Sequence, residues 1–154
     1  MGQQQLLLVI LVTILVGIAT VVAINVFGSA AEEANRDAVR QDILIGAAAA
    51  QGLHARPTML NGAGRDFTNL NLDADDDLLA RLGMPVIEDF GDCAWGNDNG
   101  CYTVSGILAN QFTITGEPAS GGDDIVADVV FDPAATGGTP PWTVVWDGTP
   151  VGDE

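Results

Sequence analysis

The first part of the chain is an apolar segment that must be covered on every side. No charged side chain occurs from Leu6 to Ala31, and only Thr13, Thr20, Asn25 and Ser29 are polar. As a helix, the segment would be about 39 Å long, enough to cross a hydrocarbon core of about 30 Å with some tilt. Apolar side chains surround such a helix instead of forming a stripe. The sequence therefore predicts a transmembrane helix or a helix buried by other protein.

The helical pattern continues beyond the apolar run in an amphipathic form. Glu32 precedes Arg36 by four positions, the spacing of a favourable ion pair on one helix face. The opposite side carries Ala34, Ala38, and Ile43 or Ala47. This side is expected to pack against the rest of the protein.

One helix is expected to run from near the start of the chain to about Ala50. Gly52 and Pro57 are the residues that would end it. We therefore expect two domains, an N-terminal helix over residues 1–53 and a small C-terminal domain over residues 54–154.

The charge of the chain is strongly one-sided. It has 21 acidic and 5 basic residues, all five of them arginine, for a net charge of -16. Such a surface argues against a nucleic acid partner, because phosphate binding needs a basic surface. At molar salt the Debye length is about 3 Å, and the repulsion among carboxylates is then largely screened. The composition favours a halophile as the source, with an ordinary acidic secreted protein as the alternative.

Two cysteines, Cys93 and Cys101, flank the sequence AWGNDNG. The residues NDNG are typical of a turn, which would bring the two thiols together. His54 is the only histidine, so a four-ligand zinc site is disfavoured. We expect a disulfide, and hence an oxidising compartment outside the cytoplasm.

Four runs in the last third of the chain have strand character. Gly, Pro and Asn separate them at short spacing, which favours antiparallel hairpins in a meander. One face of this sheet should pack on the amphipathic half of the long helix, so the predicted fold class is α+β. The runs are CYTVSGIL, QFTITGE, DIVADVVF and WTVVWDG.

The segment before these strands carries an acidic cluster, DADDDLLARLGM, at residues 73–84. It predicts a short helix over about residues 76–82, capped by Asp75 or Asp76 and ended by Gly83. The aspartates at 73, 75 and 77 also match the start of a calcium-binding loop. The later glycine and glutamate of that loop are missing, so capping is the preferred interpretation.

The sequence offers no set of residues for catalysis. His54 stands near the helix end, where the helix dipole or an acidic partner would stabilise its cation. No nucleophile and base can be paired with it, and no phosphate-binding glycine loop occurs. We therefore expect no enzyme activity, no catalytic residues, no cofactor and no metal.

Other conspicuous side chains have structural explanations. Trp142 and Trp146 share a face of the last strand and are expected in the core. Trp95 lies in the disulfide loop, where exposure would make it an interface residue. Arg56 and Arg65 are expected to pair with carboxylates of the same or a neighbouring subunit.

The long helix with an apolar first half, followed by a small β-rich domain with a disulfide, resembles the type IV pilins and pseudopilins. The most specific part of the resemblance is Met1–Phe27. It implies an inner-membrane precursor whose basic leader a prepilin peptidase removes before Met1, with methylation of the new N-terminus. It also implies assembly machinery and an extracellular helical polymer, a pilus or fimbrium serving cell adhesion or motility.

In that family the subunits assemble through the apolar helix. Gln5 departs from the family, which typically has Glu at this position and uses its charge during assembly. No Pro occurs in the apolar half, so local melting would have to fall at Gly17 or Gly28. Small residues at Gly17, Ala19 and Ala23 would permit close approach of helices. The expected self-assembly residues are Gln5, Leu8, Leu11, Leu15, Gly17, Val22 and Phe27.

Three roles remain open from the sequence. The first is the main structural subunit of the filament, which polymerises with copies of itself. The second is a minor pilin or a pseudopilin of a type II secretion-like system. The third is a monomeric, membrane-anchored binding ectodomain on an ordinary, unprocessed anchor.

Overall fold

A computed structural model describes residues 2–70, 72, 74–136 and 140–146. It contains one long helix, α1 (Gly2–Ala55), whose second half packs on an antiparallel sheet, so the α+β class is confirmed. The helix continues past the expected end near Ala50 and Gly52, so that end is wrong, and it stops two residues before Pro57, the other residue expected to end it. Leu53 and His54 are buried in the last turn, and this packing continues the helix through Gly52.

By contact density the chain divides into two units, Met1–Ala34 and Asn35–Glu154. We call the second of these the packed unit. This division lies inside α1, because the helix residues from 35 onward pack with the sheet. The expected domains, residues 1–53 and 54–154, divide the chain at the end of the helix and stay a prediction.

Within the described residues the sheet has six strands in the order of the chain, each antiparallel to the next. The last four strands correspond to the four runs expected from the sequence, and the meander is confirmed. Two strands were not expected. The strands are β1 (Ile87–Phe90), β2 (Cys93–Asn97), β3 (Gly100–Leu108), β4 (Gln111–Pro118), β5 (Ile125–Phe131) and β6 (Trp142–Trp146).

One face of the second half of α1 is buried against the sheet. Ile43 and Ala47 lie on this face as expected, whereas Ala34 is exposed and Ala38 is half-buried. The buried face repeats every three to four residues, as a helix stripe does. It consists of Val39, Asp42, Ile43, Gly46, Ala47, Ala50, Leu53 and His54.

Gly116 of β4 lies directly against the helix. A Cβ atom at this position would lie 2.6 Å from Cγ1 of Val39 and 3.3 Å from Cδ1 of Ile43. The missing side chain thus lets the two layers meet. Alternate residues of β3, β4 and β5 complete the core: Tyr102, Val104, Phe112, Ile114, Ile125, Ala127 and Val129.

Two 3₁₀ turns (Thr58–Leu60 and Phe67–Asn69) and a short helix, α2 (Asp77–Arg81), connect α1 to the sheet. Asp76 stands before α2, but its side chain does not cap the helix. Instead it accepts a hydrogen bond from the backbone N–H of Val104 in β3. Asp76 therefore occupies the expected N-cap position of α2 but does not cap the helix with its side chain. The pairing of β2 with β3 ends at Cys101, which leaves the next part of the β3 edge open to this carboxylate.

Candidate functional site

The first half of α1 is the largest apolar surface of the described chain. Sixteen large apolar side chains between Leu6 and Phe27 are each 48–75% exposed. Burying them completely would gain on the order of 15–30 kcal/mol, at about 1.5–3 kcal/mol per side chain and allowing for partial exposure. A chain with this surface needs lipid or protein around it.

The three hydroxyl side chains in this segment are satisfied within the helix. The hydroxyl of Thr13 donates to the carbonyl of Ile10 and that of Thr20 to the carbonyl of Val16, both at 2.8 Å. Ser29 donates to Val26 in the same way, at 3.1 Å. Such bonds remove the main cost of placing hydroxyl groups in an apolar medium.

The expected self-assembly residues all lie on α1 and are exposed. A Cβ at Gly17 would meet no side chain within 4 Å, so the helix surface is open there, as it is at Gly28. Met1, the expected processed residue, lies outside the described residues. By length and composition alone, α1 is the one helix among the described residues that can span a membrane.

The packed unit contains a buried carboxylate that the sequence analysis missed. Oδ2 of Asp42 accepts hydrogen bonds from the Tyr102 hydroxyl at 2.7 Å and from the side-chain amides of Asn97 and Asn99, each at 2.9 Å. Asp42 is 7% exposed and Tyr102 is fully buried. Burial, reinforced by the hydrogen bond to Asp42, raises the pKa of Tyr102 above its ordinary value. The phenol therefore stays protonated and donates.

The amides that bind Asp42 belong to the turn between β2 and β3. Oδ1 of Asn97 accepts the backbone N–H groups of Asn99 and Gly100, at 2.9 and 3.2 Å. This turn is thus organised by Asn97 and attached to α1 through Asp42.

Further contacts attach the first turns of α1 within the packed unit to neighbouring loops. The Asn35 side chain donates to the carbonyl of Asn99 at 3.0 Å and accepts the N–H of Ser120 at 3.1 Å. Arg36 donates to the carbonyl of Asp123 at 2.8 Å. Together with Asp42, these residues fix the helix to the β2–β3 and β4–β5 turns.

The Cys93–Cys101 disulfide is present, as expected. It closes the hairpin of β2 and β3, and the two Cα atoms are 5.5 Å apart. Trp95 is half-buried and packs against the core, so the exposure that would have made it an interface residue is not present in the single chain. Trp142 and Trp146 pack against the core, as expected, and both are half-buried.

His54 lies among aromatic rings at the end of α1. Ring centroids of Phe131, Phe67 and Trp142 are 4.6, 5.0 and 5.3 Å from its imidazole. The residue is 3% exposed, and Nε2 has no hydrogen-bond partner among the described residues. Burial lowers the pKa of His54 below its ordinary value of 6.5. The expected role as a cation at the helix terminus is therefore wrong, because the neutral imidazole fits this surrounding.

Two further expectations concern charged side chains. Within the described ranges, neither Arg56 nor Arg65 lies within ion-pair distance of a carboxylate, whereas Arg40 and Asp37 pair on the surface of α1 at 3.2 Å. No three His, Cys, Asp or Glu side chains of the described residues are grouped as metal ligands. Asp73, the first aspartate of the calcium-like pattern, lies outside these residues.

Comparison with known proteins gives no relative. No family model, no curated protein and no solved structure matches this chain.

Proposed function

We propose that this protein is the structural subunit of an extracellular helical filament of the type IV pilus kind. Copies would polymerise through the first half of α1, and the packed units would form the outside of the filament. The observation that carries the proposal is the apolar surface between Leu6 and Phe27, exposed on every side of the helix in the single chain.

Other features of the chain support the same proposal. The apolar helix is continuous with an amphipathic half that packs on the sheet, and a disulfide closes a hairpin of that sheet. A disulfide is typical of proteins outside the cytoplasm. Before assembly the subunit would reside in the membrane. On assembly, helices of other copies would replace the lipid around the apolar half of α1.

Lipid already covers the apolar surface, so burial alone does not drive this exchange. Packing between helices and polar contacts near the N-terminus must favour the filament. Gly17 has no side chain and lies in open space, so another helix can approach closely there. The amides of Gln3, Gln4 and Gln5 are exposed at the start of α1 and offer donors and acceptors to neighbouring subunits.

A Gly17→Leu variant tests this proposal, with Gly17→Ala as the matched control. Both should insert into the membrane normally, because neither adds a charge or shortens the apolar segment. Gly17→Leu should lower the yield of sheared filaments severalfold, whereas Gly17→Ala should lower it less. Filament yield and membrane content can be measured by immunoblot of the two fractions. Equal yields of the variants and the wild type would contradict helix packing at Gly17.

A minor pilin or pseudopilin, and a monomeric anchored ectodomain, are the competing roles. A main subunit should dominate the sheared surface material, whereas a minor subunit should be a small part of it. A monomeric ectodomain should stay in the membrane fraction and remain monomeric in detergent.

A further inference from the structure

The surroundings of His54 join four segments of the packed unit. Its own carbonyl accepts the backbone N–H of Arg65 at 2.8 Å, which folds the loop after α1 back onto the helix end. Phe67, in the second 3₁₀ turn, contacts the imidazole and donates its N–H to Ala109 in the β3–β4 turn, at 3.0 Å. Phe131 contacts the ring from the end of β5 and Trp142 from the start of β6.

These contacts make the surroundings of the ring unfavourable for a second proton. Nε2 is buried and has no hydrogen-bond partner among the described residues, and a ring nitrogen that carries a proton without a partner is costly in an apolar surrounding. Burial would also disfavour the positive charge of the imidazolium, because aromatic side chains solvate a charge less well than water does.

Few charged groups act on the imidazole from the elements around it. Arg65, in the loop after α1, disfavours protonation by its charge, and Asp66 favours it more weakly. The carboxylate of Asp66 accepts bonds from the N–H and hydroxyl of Thr68, which lower its own pKa and keep it ionised in mild acid. The Asn110 side chain and the Arg65 backbone favour protonation, but burial outweighs them. Phe67, Phe131 and Trp142 carry no charge.

We propose that His54 makes the packing around the end of α1 sensitive to acid. Its neutral ring holds the helix end to the loop after α1, to the β3–β4 turn and to the facing ends of β5 and β6. When the ring is neutral, the aromatic cluster closes around it. When the ring takes up a proton, this end of the packed unit opens, while the opposite end, held by Asp42, stays closed. The proposal does not depend on filament assembly.

The direction of the effect follows from the order of protonation. The folded state holds the pKa of His54 below 6.5, so the unfolded chain binds the proton first as the pH falls. Stability is therefore complete above about pH 6.5 and decreases as the pH falls below it. Between pH 7.5 and 5.5 the unfolding equilibrium constant should rise by up to about tenfold.

The test uses the full chain in detergent micelles, unfolded by urea at pH 7.5 and pH 5.5. Trp142 lies against the imidazole, so tryptophan fluorescence reports on this region. His54→Phe keeps an aromatic ring without a titrating group, and His54→Gln is a second variant that does not titrate. The wild type should lose stability between the two pH values, and both variants should lose less. Equal losses in all three would overturn the proposal.

Amide hydrogen exchange of the wild type gives a local measurement that does not need the variants to fold. After correction for the intrinsic pH dependence, the amides of Ala63, Phe67 and Phe131 should exchange severalfold faster at pH 5.5 than at pH 7.5. The amides of Asn99 and Ser120, near Asp42 and Asn35, should not change. Uniform acceleration, or greater stability in acid from cation–π contacts of the imidazolium, would overturn the proposal.

Discussion

Replacing Asp42 by alanine should destabilise the packed unit more than any surface substitution on α1. The change leaves the hydroxyl of Tyr102 and the amides of Asn97 and Asn99 without their shared acceptor. Tyr102 is fully buried, whereas Asn97 and Asn99 are half-buried. A buried donor left unpaired costs about 1–3 kcal/mol, and three donors share this acceptor, so we expect a total cost of about 3–5 kcal/mol.

Two milder variants separate the contribution of the Asp42 charge from that of the Tyr102 hydrogen bond. Asp42→Asn keeps an oxygen acceptor at the same place and loses the charge, which should cost about 1–3 kcal/mol, the difference between charged and neutral hydrogen bonds. Tyr102→Phe removes one donor and leaves the amide contacts, with an expected cost of about 1–2 kcal/mol. The double variant Asp42→Ala with Tyr102→Phe should cost less than the sum of the single variants, because both remove the same hydrogen bond.

The free energy of unfolding can be measured by urea titration of the full chain in detergent micelles, followed by near-ultraviolet circular dichroism. Asp37→Ala is the matched control on the same helix. Its carboxylate is exposed and pairs only with Arg40 among the described residues, so its loss should cost less than about 1 kcal/mol. If Asp42→Ala costs no more than Asp37→Ala, the network does not hold the helix to the sheet.

Three further variants or conditions test other parts of the structure. Gly116→Ala should lower the free energy of unfolding by about 1–3 kcal/mol, because the new methyl group overpacks against Val39. The control Gly52→Ala has open space around it and should be neutral or stabilising. Equal urea midpoints for the two variants would contradict the close contact at Gly116. Replacing Cys93 and Cys101 together by serine should cost about 2–3 kcal/mol, from the lost constraint on a short loop, and an unchanged thermal midpoint would argue against this. Raising NaCl from 0.1 to 2 M should raise the thermal midpoint, because salt screens the repulsion that comes with a net charge of -16. An unchanged thermal midpoint would show that this charge does not limit stability.

The sequence predicts the parts of the fold that depend on local pattern. The apolar run and the amphipathic segment after it predict α1, and period-two alternation predicts β3 to β6. The turn residues between Cys93 and Cys101 predict the disulfide. In each of these cases neighbouring residues carry the signal.

Strands β1 and β2 lack such a signal. Glu88 and Asp89 occupy the middle of β1, and Gly96 interrupts β2. Both strands are short, and the residues of β1 are exposed or half-buried. Their place in the sheet depends on the pairing of β2 with β3 and of β1 with β2, which no local pattern reveals.

The roles of Asp42 and His54 also depend on distant residues. Asp42 lies three positions after Val39 and four before Gly46, on the buried stripe, and this spacing was the available sign of a buried carboxylate. Its donors lie 55–60 residues further along the chain. The aromatic residues around His54 come from three other segments. A pattern along the chain cannot show which segments meet.

The most direct test of the account is electron microscopy of material sheared from the cell surface, with helical reconstruction and mass measurement of the subunit. We expect filaments built from this chain, with the side chains between Leu6 and Phe27 packed against helices of other copies. Recovery of the chain only from the membrane fraction, as a monomer with this helix in lipid, would contradict the proposed filament.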